Sequence, residues 1–132
     1  MKVLVKKPGE PLQVVDTNEK YFGDCAKSII GKDSYIERVY IEGMQFIMGV
    51  DENGMYKNLP INFFIPFDNA FYPIQKIYGT AVFVRNKYCD PFTEEIYDYE
   101  VIDIKEDDKK WLENILKPVN QLYLYNRFKS FY

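Results

Sequence analysis

The spacing of apolar positions along the chain changes several times, and each change marks an element. Lys2–Val5 is a short β-branched run and reads as a strand. Pro8-Gly9-Glu10-Pro11 follows as a turn, with proline fixing φ and glycine freeing it. Leu12–Val15 reads as a second strand, which predicts an N-terminal hairpin. Tyr21, Phe22, Cys25, Ala26 and Ile29 then share one helical stripe. With Asp16 or Thr17 as a cap and Gly31 just past the end, the spacing predicts a helix over about 18–30.

Tyr35–Ile41 and Met44–Val50 are β-rich and read as a hairpin turning near Glu42-Gly43. The second run is apolar enough for a strand covered on both faces. In Asp51-Glu52-Asn53-Gly54 the Asn-Gly pair tolerates positive φ at both central turn positions. A two-residue turn there lays Met55–Lys57 back alongside Met44–Val50. Residues 61–77 lose all period. Pro60, Pro66 and Pro73 bar a long helix, while Phe63, Phe64, Phe67, Phe71 and Tyr72 demand burial. A packed, irregular crossing is expected, with a helical turn near Asp68–Tyr72.

Gly79–Val84 is strand-like by composition, as is the stretch Tyr99–Ile104. A stripe through Trp111, Leu112, Ile115, Leu116, Val119, Leu122 and Tyr123 predicts a C-terminal helix over about 107–129, kinked at Pro118. The pattern sums to an α+β fold: a single mixed or antiparallel sheet of about five to six strands, one helix in the N-terminal half and the kinked C-terminal helix. Residues 1–132 are expected to form a single domain, long enough to fold without metal or disulfide.

Composition changes this picture in three ways. First, 12 Tyr and 10 Phe are a high aromatic load. It reflects either a coding bias towards Lys, Ile, Asn, Tyr and Phe or a Tyr-rich contact surface. Second, charge is uneven. Asp90–Glu113 holds ten acids against three lysines, a net of −7, so the rest of a chain with total charge −3 carries +4. No basic face suited to duplex DNA emerges, and no direct nucleic-acid binding is expected. The acidic stretch is a solvated face or a surface that blocks a DNA-binding protein.

Third, the chain has no histidine, and its two cysteines, Cys25 and Cys89, lie far apart in sequence. Ser-His and Cys-His nucleophile pairs and His metal ligands are therefore excluded. Neither GxxxxGK[ST] nor GxGxxG occurs. Asp98 and Glu100 share a strand face, but Asp103 falls on the other, so the acids converge on no metal site. No enzymatic activity, metal or cofactor is expected. Nothing in the sequence resembles a bilayer span or a signal peptide, so a reducing cytoplasm with no membrane association is expected.

The run MKVLVKKPGEPLQVV, the DENG turn, Asn58-Leu59-Pro60-Ile61-Asn62 and Gly79-Thr80-Ala81-Val82-Phe83-Val84 occur in that order. Over roughly Met1 to Arg85 they resemble a family of small domains of unknown function found in phages and mobile elements, mostly of Gram-positive bacteria. The resemblance implies a compact accessory protein with no transferable enzymatic activity. Relative to the family, the segment between Asn62 and Gly79 is longer and more aromatic, and the C-terminal helical extension within 86–132 is additional.

These readings converge on a binding protein that antagonises a host protein, conceivably a defence protein. A binder that sequesters a small nucleotide signal is the alternative, and an oligomeric assembly protein is the third. Asn58, Asn62, Phe63, Phe64, Tyr72, Arg38 and Arg85 are the candidate ligand or partner residues. Asn62 either bonds a ligand or ties the irregular segment to the sheet. Tyr125, Phe128 and Tyr132 lie off the helical stripe and are candidates for contact with a partner or a second copy, giving a homo-oligomer through the C-terminal helix.

Overall fold

The computed structural model describes residues 1–40, 46–65, 75–86 and 100–116. Its elements are β1 (Lys2–Lys6), β2 (Gln13–Asp16), α1 (Phe22–Ile30), β3 (Ile36–Tyr40), β4 (Phe46–Asp51), β5 (Ile61–Ile65), β6 (Gln75–Tyr78), β7 (Ala81–Asn86), β8 (Val101–Ile102) and α2 (Asp108–Ile115). The fold is α+β. Six strands form one sheet in the order β2-β1-β7-β4-β3, with β8 also paired to β7. Every pairing in it is antiparallel. β5 and β6 form a separate antiparallel hairpin.

β4 and β7 lie at the centre of the sheet because their residues are apolar on both faces. Ile47, Val82 and Val84 join Val3 and Val5 beneath Phe22, Cys25 and Ala26 of α1. Their neighbours Met48, Val50 and Phe83 join Leu4 on the opposite face, under Phe63 and Ile77 of the β5–β6 hairpin and Leu112 of α2. The molecule is thus layered: α1, then the sheet, then the hairpin with α2. Gly49 lets α1 sit close to the sheet. A Cβ there would stand 3.0 Å from Phe22 Cζ and 3.1 Å from the Ala26 methyl.

Four details depart from the sequence expectations, each for a local reason. α1 starts at Phe22 rather than near residue 18. The preceding backbone is used elsewhere: Thr17 Oγ1 accepts the Glu19 N–H at 3.1 Å, and the Val101 N–H donates to Lys20 O at 2.7 Å. Tyr21 itself bridges Glu100. Neither Asp16 nor Thr17 caps the helix.

The turn after β4 is not a two-residue hairpin. Gly54 keeps negative φ, and Asn58 takes the left-handed conformation at φ 57. The Leu59 N–H donates to Gly54 O at 3.0 Å and the Asn58 N–H to Met55 O at 3.2 Å. This is a helical turn closed by a Schellman pair with Asn at the left-handed position, so Met55–Lys57 do not return along β4.

Residues 61–65 and 75–78 are regular rather than irregular, pairing with a register shift between Ile61 and Phe63. α2 ends where Leu116 turns extended at ψ 131. The expected turns near Glu42-Gly43 and Asp68–Tyr72, and the kink at Pro118 with the continuation to 129, lie outside the described residues. No described helix is long and apolar enough to cross a membrane.

Candidate functional site

An open groove of about 830 Å³ runs between α1 and β3. α1 supplies Phe22 and Lys27, the following loop supplies Lys32, Ser34 and Tyr35, and β3 supplies Arg38. The loop is shaped by Gly31, whose φ of 147 lies in the range glycine favours and whose N–H closes the helix on Lys27 O at 2.9 Å. The Ser34 N–H then bonds Gly31 O at 3.1 Å and turns the chain towards β3. The Arg38 guanidinium lies over the Phe22 ring, 5.5 Å from its centroid, a cation–π contact that orients it along the groove. Asp33 and Glu52 also line the groove, so its three cations face two carboxylates.

The same end of the sheet carries a second feature. Tyr35 is 68% exposed, and the loop after β4 presents Met55 at 54% and Tyr56 at 79%. The register Ile36↔Asp51 and the bond from the Glu52 N–H to Tyr35 O (2.8 Å) bring the two segments together. This loop is well tied. Asp51 accepts the Asn53 N–H at 3.0 Å through Oδ1 and the Lys57 amine at 2.7 Å through Oδ2. The exposure of its side chains therefore comes from an ordered turn.

The residues singled out from sequence are distributed across the fold. Asn62 is only 4% exposed. Its Nδ2 donates to Lys6 O at 2.6 Å and to Gly79 O at 2.8 Å, while Oδ1 accepts from Lys6 Nζ at 3.0 Å. The amide thus ties β5 to the end of β1 and to the turn at Gly79, which has φ 76. Burial pushes the Lys6 amine below its usual range, with Glu10 opposing.

Phe63 is buried and stacks on Phe83 with centroids 6.1 Å apart, and Phe64 is buried as well. Asn58 is the exposed left-handed cap described above. Arg38 lies on the α1 face. Arg85 lies on the other, where its Nε and a terminal nitrogen each reach Asp108 at 2.9 Å. Asn62 is thus joined by neither arginine. Tyr72, Tyr125, Phe128 and Tyr132 lie outside the described residues.

The Arg85–Asp108 pair fastens α2 to β7. Burial alone would push the Asp108 carboxyl up. The Arg85 hydrogen bond, the Lys105 N–H at 2.6 Å and the charges of both residues outweigh that and hold it below the usual carboxylate range. Arg85 also lies over Phe46, which tilts against Trp111 at 6.0 Å. Among the described residues no group of three or more His, Cys, Asp or Glu could hold a metal ion.

Residues 1–106 match the family described as Domain of unknown function (DUF3846). The chain belongs to this family. The family region runs past Arg85 and takes in β8, the strand that anchors the start of α1. Neither the comparison with curated proteins nor that with solved structures gives a match. Lys27, Lys32, Ser34, Tyr35, Met55 and Tyr56 were not candidates from sequence. For Lys32, Ser34 and Tyr35 the only signal was the short polar run Lys32-Asp33-Ser34-Tyr35 after Gly31, which reads like any solvated loop.

Proposed function

We propose that this DUF3846 chain is a non-enzymatic accessory protein, carried by phage or mobile DNA, that binds and antagonises a host protein. The observation that carries the reading is the ordered, exposed end of the sheet formed by Tyr35, Met55 and Tyr56. Tyr and Met suit such a surface. Tyr offers contact area and a hydroxyl at low entropic cost, and Met adapts to a partner's shape. An ordered turn carrying them loses little further freedom on binding, which favours affinity. The lack of histidine and of nucleotide-fold motifs in the sequence fits a protein that acts by occupancy.

The test is affinity capture from host lysate with the purified chain and with a Tyr35→Ala/Tyr56→Ala variant. The reading expects one host protein retained by the wild type and lost by the variant. Capture of nothing specific, or equal capture by both, refutes it. A gene neighbourhood of cellular housekeeping genes would count against the mobile-DNA origin.

A further inference from the structure

We propose that the groove between α1 and β3 binds a nucleoside phosphate. Three observations carry the assignment. Lys27 and Lys32 stand exposed along it, and Arg38, held against Phe22, lines it too, so three cations line the groove. Ser34 is only 8% exposed, and its hydroxyl has no hydrogen-bond partner among the described residues. A hydroxyl that lines a groove and is unpaired within the fold takes its partner from whatever fills the groove, water or a ligand. The Tyr35 ring stands exposed at the same groove and offers a stacking face.

The mixed charge narrows the ligand. A simple anion would meet three cations but also the carboxylates of Asp33 and Glu52. A nucleoside phosphate uses both: its phosphates take charge-assisted bonds from the cations, and its ribose hydroxyls or base amines donate to the carboxylates. The groove's size lies within the roughly 300–1,000 Å³ of small-molecule sites. The assignment shares Tyr35 with the host-protein reading, but Lys27 and Lys32 belong to the groove alone and Tyr56 does not line it.

Calorimetric titration with ADP, GDP, CDP and UDP, and with pyrophosphate and adenosine as controls, tests this. At least one diphosphate binds the wild type with a stoichiometry of one, more weakly as salt rises, and adenosine does not bind. Lys27→Ala/Lys32→Ala, at exposed positions that keep the fold by circular dichroism, weakens that binding by roughly tenfold or more. Tyr35→Ala weakens the diphosphate and leaves pyrophosphate unchanged. Tyr56→Ala binds as the wild type, so failure here is distinguishable from failure of the host-protein reading. The proposal is overturned if no diphosphate binds at millimolar concentration, if the double lysine variant binds undiminished, or if pyrophosphate binds as tightly as the diphosphate.

Discussion

Replacing Asn62 with alanine removes a side chain that joins three parts of the fold. The buried Gly79 O and the part-buried Lys6 O lose their donors at 2.8 and 2.6 Å, and Lys6 Nζ loses one of its two acceptors, at 3.0 Å. Each neutral bond contributes about 1 kcal/mol, and the lysine bond, discounted for partial exposure, about the same. The sum is about 3 kcal/mol, a large share of the stability of a domain this size. The melting temperature should fall by about 12 °C, taking roughly 4 °C per kcal/mol.

Urea unfolding followed by Trp111 fluorescence measures the loss, with an unchanged slope marking it as one of stability. Lys6→Met serves as the control. It removes the amine's bonds to Asn62 Oδ1 (3.0 Å) and to the exposed Lys7 O (2.8 Å) and should cost about 1 kcal/mol, and added to Asn62→Ala it should cost less than it does alone. A loss below about 0.5 kcal/mol for Asn62→Ala, within the range of ordinary surface changes, would refute the structural role and return Asn62 to the ligand candidates.

Three further outcomes follow from the packing. Gly49→Ala places a methyl 3.0 Å from Phe22 Cζ and should lower the urea midpoint by an amount worth about 1–3 kcal/mol, because α1 and the sheet must part. Asp108→Asn breaks a pair whose side chains are only 12% and 10% exposed, and should cost about 2 kcal/mol at neutral pH. The folded pKa of Asp108 lies below its unfolded value, so its stabilisation is full above about pH 4 and disappears as pH falls through the folded value. The gap between wild type and variant in unfolding scans should therefore close in acid. Burial pushes the Cys25 thiol up, so peptide mapping should find it alkylated only after denaturation.

Much of the scaffold was legible because local rules decided it. Pro8-Gly9-Glu10-Pro11 joins two runs that do pair, Lys2 opposite Asp16. The apolar content of Met44–Val50 marked β4 as a doubly covered strand, and the composition of Gly79–Val84 marked β7 as a strand. β5 was hidden for the same physical reason. Phe63 and Phe64 are both buried, so the alternation that announces a strand is absent, and two prolines beyond it suggested irregularity.

The Asn-Gly pair misled because Asn58, followed by Leu59-Pro60, closes the turn instead. A left-handed Asn with proline shortly after it is itself a readable stop signal. The start of α1 was not readable, since it depends on Glu100 and Val101, some eighty positions away. The groove was unreadable too. Lys27, Lys32, Ser34 and Arg38 meet only through the packing of α1 on the sheet, which no local pattern records.

The Tyr35–Met55–Tyr56 end of the sheet is the surface proposed to bind a host protein. The decisive measurement is the affinity of the captured host protein for the wild type and for Tyr56→Ala, determined by calorimetry with purified components. If Tyr56 anchors the interface, its truncation should cost about 2 kcal/mol or more, roughly thirtyfold in Kd, with the fold intact. Equal affinities for wild type, Tyr56→Ala and Tyr35→Ala would contradict the account.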